Sequence, residues 1–79
     1  MRIVKIVRKE STKEFVNLEI TFEKKVWFKT KTFTKDCIYN QSGKHLKYCD
    51  TNEMVYIGSW IIESVIQFVE SNKEEITFK

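Results

Sequence analysis

The chain has 79 residues, 42% of them apolar and 14% aromatic, with a net charge of +3. That is enough for one small domain, 1–79, and too apolar for a disordered tail. At this length only about 60% of the unfolded surface is buried on folding, so the core is thin.

Arg2, Lys5, Arg8 and Lys9 interrupt the first ten residues, so no apolar segment of a secretory signal follows. The longest apolar runs are four residues, far short of a membrane span. With only two cysteines, a reduced cytoplasmic setting and no membrane association are the expectation. The chain lacks Ala and Pro and carries twelve Lys against two Arg, a bias expected of AT-rich coding in a low-GC bacterium or its phage. Charge is divided: residues 1–50 carry +6 and residues 51–79 carry −3, which favours an anionic partner or head-to-tail meeting of two copies.

In chain order, the β-branched run from Ile3 to Val7 predicts a first strand, broken by the polar residues 10–13. Val16, Leu18, Ile20 and Phe22 then alternate with Asn17, Glu19, Thr21 and Glu23, the period of a strand with one buried face. The alternation resumes after Lys24 and Lys25. A tight turn at residues 23–25 is preferred over one long bent strand, because long unbroken strands are rarer. That choice places Phe28 on the core face with Val26. It places Trp27, Lys29, Lys31, Phe33 and Lys35 on the other. Residues 37–39 and 46–49 flank Asn40, Gln41, Ser42, Gly43 and Lys44, a hairpin in which Gly43 can supply positive φ.

Asp50 and Glu53 have capping-box spacing, and apolar positions from Met54 to Val69 fall on half of a helical wheel. One long helix over residues 50–72 is therefore predicted, packed by Ile61, Val65, Phe68 and Val69 on the sheet. The competing reading makes Met54, Val55, Tyr56 and Ile57 a strand and starts the helix at Gly58 and Ser59. Residues 75–78 predict a short final strand. The expected fold is α+β: an antiparallel sheet of about four to six strands covered on one face by that helix.

Chemistry-bearing motifs are few. There is no phosphate loop, nucleophile elbow or His-Glu-x-x-His pattern around the lone His45. Cys37 or Cys49 with His45 could form a nucleophile–base pair, and with Asp50 a zinc set, but no orienting group or cysteine knuckle accompanies them. The expectation is a non-enzymatic protein with no metal or cofactor. Whether Cys37 and Cys49 pair stays open, since a hairpin centred on Gly43 would set them opposite each other.

Two aromatic surfaces stand out. Tyr56 and Trp60 fall on the polar half of the predicted helix beside Glu63 and Gln67, the composition of a protein-interface hot spot. Trp27, Lys29, Lys31, Phe33 and Lys35 form a basic aromatic strand face, the composition of a single-stranded nucleic acid or nucleotide binder. The sequence reading is thus a small module that recognises another macromolecule through exposed aromatics. A protein is the leading partner, a second copy of the chain another occupant of the same surface, and nucleic acid the alternative.

Overall fold

The computed structural model describes residues 2–55 and 59–78, side chains excepted at 59–61. Its elements are β1 (Arg2–Ser11), β2 (Phe15–Val26), β3 (Lys29–Asn40), β4 (His45–Tyr48), α1 (Ser59–Glu70) and β5 (Glu75–Thr77). The strands make one sheet in the order β4-β3-β2-β1-β5, with every neighbouring pair antiparallel. The first four strands follow one another as a meander. Helix α1 then crosses one face and delivers β5 to the far edge, beside β1.

The period-two stripe in β2 does what alternation requires. Val16, Leu18, Ile20 and Phe22 are buried, and they cluster with Val65, Phe68 and Val69 of the helix. Ile3 and Ile6 join them although three residues apart. Ile3 pairs with Phe22 and Lys5 with Thr21, so Val4 is an extra residue that resets the phase of β1. Cys37, Tyr39, Leu46 and Val55 complete the core towards the β4 edge.

Arg8 ties the helix down. Its guanidinium donates to the carbonyls of Phe68 (3.3 Å), Val69 (2.9 Å) and Lys73 (3.0 Å), and lies 5.4 Å from the centre of the Phe68 ring. A cation on the open carbonyls of a helix C-terminus is favoured by both hydrogen bonding and the helix dipole. Asn72, at φ 59°, turns the chain out of the helix.

Three sequence expectations are corrected. First, the turn after β2 is not at residues 23–25. Strand β2 runs on to Val26, which pairs with Lys29 across the two-residue turn Trp27-Phe28. Phe28 is therefore fully exposed, not a core residue. Second, residues 50–55 are not helical. Asp50 is held by Lys35 at 2.8 Å, and the chain turns at Asn52 (φ 58°) to run back along β4. There Met54 bridges Lys47, and the Val55 amide donates to Leu46. The helix begins at Ser59, as in the competing reading; residues 56–58 lie outside the described residues. Third, the β3–β4 loop puts Lys44, not Gly43, at positive φ (54°). The Asn40 side-chain oxygen accepts from the Ser42 and Gly43 amides and the Ser42 hydroxyl, fixing the turn without glycine's freedom.

Candidate functional site

The β2–β3 hairpin outgrows the sheet. The first described pair of β1 with β2 is Arg2 with Glu23, and β4 reaches β3 only from Cys37 onwards. Among the described residues, 24–31 therefore form a two-stranded arm with no strand on either side. Three residue pairs at about 3.3 Å per residue make it project roughly 10 Å.

Its tip breaks three local rules at once. Trp27 has φ 58°, and Phe28 does not share the positive value, the pattern of a type II′ turn whose first central position normally takes glycine. A bulky side chain in the left-handed region is an outlier. Trp27 and Phe28 are also 91% and 101% exposed, so neither aromatic gains anything from folding. Below them Lys24 lies directly opposite Lys31, and like charges on opposed strand positions repel.

Four lysines surround this tip: Lys24, Lys31 and Lys29 on the core-side face of the arm, and Lys25 on the other. Among the described residues none of the four has a carboxylate partner. The ion pairs lie elsewhere, Arg2 with Glu23, Lys5 with Glu75, Lys9 with Glu19 and Asp36, and Lys35 with Asp50. On the open sheet face Arg2, Lys5 and Lys9 are thus neutralised while Lys47, among the described residues, is not, and the arm gathers four unpaired lysines within three residue pairs.

Of the predicted basic aromatic face, Trp27, Lys29 and Lys31 belong to the arm. Phe33 and Lys35 do not act with them. Register sets Phe33 opposite Phe22, and the two rings stack at 5.4 Å, with Phe33 partly buried against the core. Lys35 is engaged with Asp50, whose hydrogen bond raises the lysine pKa and lowers that of the aspartate. The face expected to be open is in fact the core-side face. Phe28, Lys24 and Lys25, which share the arm, are absent from the sequence-based candidates. The available signal was the unbroken alternation through Lys24 and Val26, which argued for the longer strand.

On the helix, Glu63 and Gln67 are exposed, as the helical wheel predicts. Tyr56 and the Trp60 side chain lie outside the described residues, as does the Ile61 side chain.

The cysteine–histidine constellation does not assemble. Cys37 is buried on the core face opposite Tyr48, while His45 pairs with Asn40 on the other face, three residues further along β4. Burial pushes the Cys37 thiol up to about 12, which keeps it protonated at neutral pH. Partial burial, and then Asp36 and Asp50, also raise the Cys49 thiol. Both thiols are free. The His45 ring lies against Gly43, where a Cβ would come within 2.6 Å of its Cδ2.

No protein-family model, curated protein or solved structure matches the chain. Among the described residues no helix is long and apolar enough to cross a membrane.

Proposed function

We propose that the protein is a non-catalytic binding module that recognises nucleic acid through the exposed aromatic tip of its β2–β3 arm. The carrying observation is the Trp27–Phe28 turn, exposed and in strained geometry amid four lysines without carboxylate partners. Backbone strain, apolar exposure and like-charge opposition each lower stability, and their concentration at one point supports a use outside the fold. Phosphates would neutralise the lysines, and bases offer apolar faces to the two rings.

Binding should be read by fluorescence anisotropy with labelled oligonucleotides, single- and double-stranded, as salt is raised. Affinity should fall steeply with salt because each neutralised phosphate releases counterions. Retention of neither oligonucleotide at low salt would overturn the reading.

A second reading is supported by the exposure of Glu63 and Gln67: a protein partner docking on the side of α1 that carries these two residues, which the sequence groups with Tyr56 and Trp60. Substituting Glu63 and Gln67 would then weaken capture of that partner and leave oligonucleotide binding unchanged. Both readings place the protein in the cytoplasm, where free thiols persist.

A further inference from the structure

We infer that the arm enters a groove of double-stranded B-form DNA and wedges Trp27 and Phe28 between base pairs, an inference that rests on the nucleic-acid reading above. Shape separates a wedge from a single-strand track. A single-strand binder lays its aromatics along a concave or flat track so that successive bases can stack. Here the second ring of such a track, Phe33, is partly buried and stacked on Phe22 against the core, and the two exposed rings belong to consecutive residues of a projecting, convex turn. A convex tip inserts; it does not cradle.

Charge placement selects what it enters. The lysines occupy three successive levels below the turn: Lys29 opposite Val26, Lys25 opposite Thr30, and Lys24 opposite Lys31. They lie on both faces of the arm, spread over roughly 7 Å of its length. A planar anionic surface such as a bilayer would meet the arm end-on and engage one level. A groove has phosphates on both walls and engages the flanks at all levels while the tip reaches the base pairs. The major groove of B-form DNA, about 12 Å wide, admits a two-stranded ribbon, whereas the major groove of A-form RNA is too deep and narrow. Apolar wedges carried into a groove, as minor-groove binders carry them, part the base stack and kink the duplex.

The test uses the full chain with a DNA duplex carrying 2-aminopurine, whose fluorescence rises on unstacking, and dyes at both ends to report bending. The same-length single strand, an RNA duplex and vesicles of mixed phosphatidylserine and phosphatidylcholine are compared. The expected result is preference for duplex DNA, a rise in 2-aminopurine emission, and shortened end-to-end distance. Trp27→Gly with Phe28→Ser should abolish the rise and the bend while keeping the salt slope. That slope should be about −3.6 in log–log form for four phosphates, and Lys24→Gln with Lys31→Gln should reduce it by about 1.8. Both pairs of substitutions lie on exposed positions, so folding is retained and checked by circular dichroism. Preference for single strands, or equal binding to the RNA duplex, would overturn the wedge and leave the nucleic-acid reading standing. Binding to vesicles alone, or to nothing, would overturn both.

Discussion

Replacing Trp27 by glycine should make the protein more stable while weakening the proposed contact with nucleic acid. The left-handed backbone at φ 58° costs a residue with a Cβ about 1–2 kcal/mol, and glycine nothing comparable. Against that, glycine adds about 0.5–1 kcal/mol of chain entropy to the unfolded state. The Trp27 side chain is 91% exposed, so its removal forfeits little burial. The balance is a gain centred on about 0.75 kcal/mol, or roughly 3–6 °C in Tm for a domain of this size. Trp27→Ala removes the same ring but keeps the Cβ in the left-handed region, so it should be close to neutral. The difference between the two variants in urea and thermal denaturation isolates the strain from the lost side chain. If glycine is no more stable than alanine, the turn is not strained as described. If both lose more than about 1 kcal/mol, the ring has contacts within the fold and is no free tip.

Leu18→Ala, at a fully buried site under the helix, should cost about 2–5 kcal/mol by urea denaturation, enough to threaten a domain this small; a loss below about 0.5 kcal/mol would place the core elsewhere. Arg8→Ala should cost about 2–3 kcal/mol by removing the guanidinium from the Val69 carbonyl and the Phe68 ring, and hydrogen exchange should rise first in residues 66–70. Lys31→Glu converts the repulsion with Lys24 into attraction and should stabilise by about 0.5 kcal/mol while weakening DNA binding at least about tenfold. The Asp50 carboxyl is lowered below its ordinary 3.8 by Lys35, so its contribution to stability is complete above that value. It is lost as pH falls through the lowered folded pKa. Asp50→Asn should accordingly flatten the acid limb of a stability–pH profile, and an unchanged limb would refute the pairing.

What could be read from the residues follows from how locally each feature is encoded. Alternation in β2 and the apolar stripe of α1 are written in neighbouring side chains, so the two faces that meet in the core were legible. The turn at Trp27-Phe28 carries no Gly, Asn or Asp, and placing it three residues early reversed the face assigned to every residue from Lys29 to Lys35. That reversal made Phe33 a surface candidate and Phe28 a core one. Residues 50–55 misled for a different reason: Asp50 can cap a helix, but its carboxylate is taken by Lys35 fifteen residues earlier. A competition decided by a distant side chain leaves no mark in local spacing.

The placement of β5 beside β1 bears on how the chain could be rewired. Thr77 lies opposite Lys5, and the Phe78 amide donates to the Val4 carbonyl at 2.7 Å. A few linking residues from Phe78 to Arg2 would close β5 and β1 into an ordinary hairpin, and new ends could be cut in the exposed loop at residues 41–44. Such a circular permutant turns the most remote strand pairing of the sheet into a local one. The cut at residues 41–44 in turn makes the local β3–β4 pairing the remote one, so the entropy of loop closure moves from the β5 edge of the sheet to the β4 edge. The permutant would carry the Trp27 arm unchanged, on a frame whose order of assembly had been rewritten.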